Sequence, residues 1–289
     1  LVRRVSRIAS AQCEGVENTI VGPIDGMTNW LPALSHVDVV VHLAARVHVM
    51  SDTTVDPLME YRNVNVKGCL NLARQAAAAG VKRLIFLSSI KVNGEITQPG
   101  HPFTADDVPA PQEPYGISKL EAEQGLRAIA GETELAVVVI RSPLGYGPGV
   151  GANFNAMLKA VASGVPLPLG AIDNRRSLVA LDNLVNLITI CLEHPKAVNQ
   201  IFLVSDGEDL STKELIGRVA KAMGKPARLF SVPVQLLKIG GALTHRQSAV
   251  RRLCESLQVD ISKTTAFLGW TPPITVDEGI RRVLVNWRR

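Results

Sequence analysis

At 289 residues, with 46% hydrophobic and 4% aromatic content and a formal net charge of +5, the chain suffices for one large domain or two smaller ones. Its basic residues form no aromatic-interleaved stripe, so a nucleic-acid partner is not expected. No apolar run reaches the ~18 residues that span a bilayer, no signal-peptide pattern opens the chain, and Cys13, Cys69, Cys191 and Cys254 lack metal or disulfide spacing; a cytoplasmic protein with neither metal nor membrane partner is expected.

In chain order, short apolar runs at 37–45, 82–89, 134–143 and 199–207 read as buried parallel strands. Helical patterns lie between them at 57–80, 115–130 and 182–194, stopped by Gly80, Gly131 and Pro195. Alternation of strand and helix predicts an α/β fold with a Rossmann-like doubly wound parallel sheet. Beyond 207, helices at about 211–223, 233–242, 246–257 and 275–287 form a smaller, mostly helical region. Loops at 90–114 and 144–178 follow strand ends, where α/β sheets bind ligands. The division expected is 1–149 plus 179–206 for a dinucleotide-binding domain, and 150–178 plus 207–289 for a substrate domain.

Tyr115 and Lys119 stand four apart at a helix start, and Ser88 and Ser89 end a strand. A phenol ionises near pH 10; an ammonium one turn away favours phenolate, and a serine hydroxyl can share the same substrate oxygen. The bland reading is that Tyr and Lys four apart occur by chance at many helix starts. His42 and His48 show no ligand spacing and read as core or surface histidines.

Seven ordered motifs supply context: VVVHLAA (39–45), NVNVKG (63–68), FLSSIKVNG (86–94), PYGISK (114–119), RSPLGYGPG (141–149), RRSLVALDN (175–183) and VDISKTTAFLGWTP (259–272). In this order they resemble the NAD-dependent epimerase/dehydratase family of extended short-chain dehydrogenase/reductases. The resemblance implies Ser89, Tyr115 and Lys119 as catalytic residues, with Tyr115 the base and Lys119 holding the nicotinamide ribose and lowering the tyrosine pKa. It implies cofactor contacts at Ile24, Leu43, Ala44, Ala45, Asn65, Ser88 and Pro143. Substrate contacts are implied at Ser89, Lys91, Asn93, Asn153 and Arg176, the last on a diphosphate. Packing alone also explains Ala44 and Ala45, a helix cap explains Asn153, and a solvated charged pair with Arg175 explains Arg176.

Members normally open with a strand and a GxxGxxG turn that cradles pyrophosphate at a helix N-terminus. This sequence opens with Leu1 at LVRRV, which reads as the end of a second strand, so an N-terminally incomplete sheet with exposed strand edges is expected. Arg3 and Arg4 stand where an acidic residue would bind the NAD ribose, and a basic pair admits NADP; Pro23 replaces an acidic residue beside Ile24. NAD is the expected cofactor, with NADP open. Ser89 is followed by Ile90 and Lys91 rather than the Asp-Glu pair of the 4,6-dehydratases, leaving a 4-epimerase or a 4-ketoreductase of a nucleotide-diphosphate sugar. A non-catalytic binding relative or inactive fragment is the reading from another class. A homodimer through the 115–130 helix and the alanine-rich helix ending at Gly80 is also implied, although core packing explains their small residues equally well.

Overall fold

The computed structural model describes residues 3–6, 16–47, 56–244, 247–285 and 287. The chain forms two compact units: Leu1–Gly94, Asp106–Arg141 and Ile188–Phe202 make the first, and Glu95–Ala105, Ser142–Leu187 and Leu203–Arg289 the second.

The first unit contains β1 (Arg3–Ser6) and β2 (Glu17–Ile20), which pair in parallel as a two-stranded sheet, followed by α1 (Leu31–Leu34) and β3 (Val39–His42). Next come α2 (Pro57–Tyr61), a π-helical segment (Arg62–Gly68) and α3 (Cys69–Ala78), running as one continuous helical stretch where 57–80 was expected. Then β4 (Arg83–Ser89) leads through a 3-10 turn (Ile90–Val92) to α4 (Pro114–Glu132) and β5 (Ala136–Ser142).

In the second unit lie β6 (Leu144–Tyr146), α5 (Ala152–Ser163) and β7 (Arg176–Ala180). There α6 (Leu181–Glu193) begins, and its chain runs back through the first unit to β8 (Ile201–Leu203). The remainder is β9 (Asp209–Leu210), α7 (Thr212–Ala222), α8 (Val234–Leu243), α9 (Gln247–Cys254), α10 (Ser262–Leu268) and α11 (Val276–Val285).

The main sheet has the order β3-β4-β5-β8, and β3 pairs with β4 in parallel from Val39 opposite Arg83 to His42 opposite Phe86. Its inner strands β4 and β5 are largely buried because helices cover them: Leu84, Phe86, Val137 and Val139 share a core with Leu72, Ala73 and Ala76 of α3 and Ala122, Leu126 and Ile129 of α4. Ala73, Ala76 and Ala122 are thus fully accounted for by packing within one chain.

Unit boundaries differ from those expected because β6, β7 and β9 form a sheet of their own, drawing 142–187 into the second unit. Residues 95–105 join it too: Thr97 N–H donates to Ser256 C=O (3.0 Å) and Phe103 N–H to Gln258 C=O (2.9 Å). The expected loop at 144–178 therefore holds two strands and a helix, and the second unit is less purely helical than its sequence texture. Its core joins Tyr146, Phe154, Leu158, Leu178, Ile216 and Ile280. A capping box opens α7, with Ser211 Oγ accepting from Glu214 N–H and Glu214 accepting from Ser211 N–H.

Candidate active site

Ser89 ends β4 in an extended conformation, and its Oγ caps the following 3-10 turn by accepting from Lys91 N–H at 3.3 Å. Pro114 at the first turn of α4, preceded by extended Glu113, fixes where that helix starts. Gly116 then allows the helix to lie against the turn: a Cβ there would sit 2.8 Å from the Lys91 carbonyl oxygen. This approach brings the Tyr115 phenol into a hydrogen bond with Ser89. One turn on, Lys119 is 2% exposed, donates from Nζ to Leu87 C=O at 2.7 Å, and lies 4.0 Å from the Phe86 ring centroid.

Burial pushes the Tyr115 phenol above its ordinary pKa; the Ser89 hydrogen bond pulls it back and Tyr61, its edge-on ring neighbour at 6.1 Å, adds to the rise. Burial is thus the largest influence on Tyr115, and the Lys119 ammonium, expected to lower it, is engaged by Leu87 C=O. Lys119 itself is pushed down to about 8, chiefly by burial. His42 is a core residue stacked on Phe86 and held neutral, its pKa pushed down to about 3 by burial and then by Lys119; His48 lies outside the described residues.

Around this trio, Leu43 is 56% exposed and Ala44 is exposed at the carboxyl end of β3, with Ala45 half-buried. Asn65, on the π-helical segment, holds this stretch: its Oδ1 accepts from Arg46 N–H (2.7 Å), and its Nδ2 donates to Arg46 C=O and Ser118 Oγ (both 3.0 Å). Ser118 Oγ in turn donates to Tyr115 C=O at 2.8 Å. Asn65 is 1% exposed, and its amide clamps this stretch to α4 within the protein. Ile24 is half-buried, packed on the sheet core and against Gly68.

Two of the expected contact residues, Ser88 and Asn93, belong to a polar network. Ser88 Oγ donates to Glu123 Oε1, and Arg141 pairs with Glu123 at 2.7 Å and donates to Asn93 Oδ1 at 3.0 Å. All four residues are buried. Lys91 Nζ pairs with Glu113 at 2.5 Å, tying the turn to the residue ahead of α4. Sequence reading missed Glu123 and Arg141; their signal was a guanidinium closing the apolar run of β5 and a carboxylate one turn beyond Lys119 on the inward face of α4.

Pro143, Asn153 and Arg176 belong to the second unit. Pro143 is buried, and Arg176 is half-buried, donating to Glu255 C=O at 2.9 Å. Burial lowers the Arg176 pKa, Glu255 raises it, and neighbouring Arg252 lowers it again, so two guanidiniums face one region. Arg252 was not anticipated, since its helix carries no motif that marks it. Arg3 and Arg4 lie on β1 opposite Glu17 and Asn18; the contacts expected of them and of Asn153 concern side chains outside the described set.

A UDP-glucose 4-epimerase of Vibrio cholerae is 50% identical over 263 residues, covering 91% of this chain and 80% of that protein. The N-acetyl-alpha-D-glucosaminyl-diphospho-ditrans,octacis-undecaprenol 4-epimerase of Escherichia coli O157:H7 is 28% identical over 93% of this chain and 83% of its own. Among solved structures, the UDP-glucuronic acid 4-epimerase of Bacillus cereus in complex with NAD superposes with a TM-score of 0.76 at 21% identity, covering 95% of this chain and 79% of that one, a likeness of fold. With residues 2–205 also matching its family model, the chain belongs to the NAD dependent epimerase/dehydratase family.

Proposed function

We propose that this protein is a nucleotide-sugar 4-epimerase acting on a UDP-hexose or UDP-N-acetylhexosamine, with Tyr115, Ser89 and Lys119 as its catalytic residues. The observation that carries this reading is the Tyr115–Ser89 hydrogen bond, formed at the carboxyl end of β4 with Lys119 one helical turn away. Identity of 50% to a UDP-glucose 4-epimerase supports the reaction, and the Ile90-Lys91 sequence after Ser89 offers no acid and base for dehydration.

The residues present fit the nicotinamide-ribose end of NAD or NADP: a hydroxyl pair and a buried cation stand together, near a carboxyl-terminal strand end whose Leu43 and Ala44 are uncovered. Leu43, Ala44 and Ala45 would lie along the dinucleotide, Tyr115 and Lys119 would hold its ribose, and Pro143 would border the nicotinamide. When bound, the dinucleotide would supply the hydride acceptor for C4. Tyr115 would take the C4 hydroxyl proton as the ketone forms and return it to the same oxygen once the ketose has turned over and its other face is reduced, while Ser89 shares that oxygen. Asn65 keeps the strand end and α4 in register. In the second unit, Arg176 would bind the diphosphate, and Asn153 would be the backbone-anchoring asparagine of the nucleotide-sugar site. The first unit is thereby the dinucleotide-binding part and the second the sugar-nucleotide part, within an expected homodimer.

A second reading, reduction of a 4-keto-6-deoxy sugar nucleotide, is favoured by one observation: burial keeps the Tyr115 phenol protonated, the state a ketone acceptor needs. The assay that separates them presents UDP-glucose, UDP-galactose and their N-acetyl forms, and separately a 4-keto-6-deoxy sugar nucleotide with NADPH or NADH. Interconversion without net coenzyme consumption supports the epimerase. Stoichiometric coenzyme oxidation with no interconversion replaces it with the reductase.

A further inference from the structure

Residues 215–254 carry eight Lys or Arg and no Asp or Glu. Within that stretch α8 is apolar around most of its circumference, yet only part of it is covered. Gly241 is buried and Leu237 half-buried, whereas Leu236, Ile239 and Leu243 are 57%, 55% and 79% exposed. Their spacing of three and four residues lines them up as one stripe along the helix. Single exposed apolar side chains are ordinary, but three in a helical stripe mark a contact surface. Phe230, ahead of α8, and Leu253 on the packed neighbour α9 are exposed too.

Cations flank the stripe. Lys238 and Arg251 are about half exposed and share a single carboxylate, Glu255, at 4.0 and 3.2 Å, so the local balance stays positive. A second copy of this chain is a poor occupant, because a two-fold contact would lay these cations against their own equivalents. An anionic phospholipid surface matches both features: headgroup charge for the cations and an acyl boundary for the stripe.

We propose that α8 and α9 form a membrane-surface docking face, with Leu236, Ile239 and Leu243 entering the headgroup boundary of an anionic bilayer and Lys238 and Arg251 meeting its headgroups. No helix among the described residues is long and apolar enough to cross a membrane, and this face requires none that does. A helix of ten residues would lie in the interface plane. The proposed face runs against the sequence-based expectation of no membrane partner, which rested on the absence of a spanning segment.

Co-sedimentation of the full chain with vesicles tests it without reference to turnover, so its failure leaves the epimerase reading untouched. The expected result is at least tenfold tighter binding to vesicles of equal phosphatidylglycerol and phosphatidylcholine than to phosphatidylcholine alone, weakened by salt. The triple variant Leu236→Gln, Ile239→Gln, Leu243→Gln should lose at least tenfold of that binding while keeping its circular dichroism. Should that variant misfold, the surface pair Lys238→Glu and Arg251→Glu should show a loss of similar size. Absence of binding to anionic vesicles, or undiminished binding by a folded variant, overturns the proposal. So does self-association without vesicles that the triple variant abolishes, which would make a second copy the occupant.

Discussion

Tyr115 and Lys119 sit on one helix, one turn apart, and burial moves both toward their neutral forms. For the phenol that means a proton held ready to give; for the lysine it means a charge that is lost at modest alkalinity. The Lys119 pKa is about 8 in the folded chain against an ordinary 10.5. The folded form therefore releases this proton first as pH rises. Below about pH 8 the burial penalty is carried in full, about 3 kcal/mol for a shift of this size. Between about 8 and 10.5 stability from this group rises, and beyond that it is level. If the ammonium charge serves catalysis, kcat/KM should fall as pH passes about 8, and Lys119→Met should remove that limb from what activity remains. A profile flat to pH 10 would detach the charge from turnover. Tyr115→Phe deletes only the proton-transfer group, so turnover should drop by about 10²-fold or more with nucleotide-sugar affinity nearly unchanged. Near-normal kcat would place the base elsewhere.

Along α4, the first half of the inward face is polar (Tyr115, Lys119, Glu123) and the second apolar (Leu126, Ile129). The helix thus carries chemistry at its N-terminal end and is anchored by the core at the other. Its docking depends on Gly116: Gly116→Ala places a Cβ 2.8 Å from a backbone carbonyl, and backbone must move. The expected outcome is at least tenfold lower kcat with circular dichroism retained, since Tyr115 is displaced from Ser89; unchanged kcat would show that the turn yields freely. The buried Glu123–Arg141 pair links the helix to β5 and, through Ser88 and Asn93, to both ends of the turn. Removing one partner strands a buried charge, so Glu123→Gln alone should cost about 3–5 kcal/mol, measured by urea unfolding. Adding Arg141→Met should recover part of that loss; strict additivity would mean that the two charges act independently.

Periodicity made these elements legible: β4, β5 and α4 fall within a residue or two of the bounds read from sequence. It did not reveal what the side chains within them do. Ser88, Asn65 and Asn93 carry motif positions that invite a ligand contact, yet each is buried and bonded within the protein. That distinction depends on which residues fold back onto them, which no local pattern encodes. The π-helical segment was hidden for a related reason, because one extra residue per turn hardly disturbs the apolar spacing.

Over the whole molecule, strand and helix alternation gave the α/β class, whereas the division into units depended on long-range pairing. Strands as short as β6 and β9 make too brief an apolar signal to be distinguished from loop, and the sheet they form with β7 is what moved the boundary. A buried hydrogen-bonded cluster ties the second unit together. Asp206 accepts from Tyr146 OH (2.7 Å), Ala180 N–H (2.8 Å) and Asn183 Nδ2 (2.7 Å), and Asn183 donates to Ile274 C=O (2.9 Å). Tyr146→Phe leaves that carboxylate one donor short in a site where burial already raises its pKa. A loss of about 1–3 kcal/mol in urea unfolding is expected, and no loss would mean another donor replaces the phenol.

The central claim, reversible oxidation at C4 with the proton carried by Tyr115, is tested most directly by incubating the purified protein with UDP-glucose deuterated at C4. The expected product is UDP-galactose that keeps the deuterium at C4, with no net change in coenzyme, formed about 10²-fold or more slowly by Tyr115→Phe. Failure to interconvert the hexose in either its plain or N-acetyl form, or product that has lost the label to solvent, would contradict it.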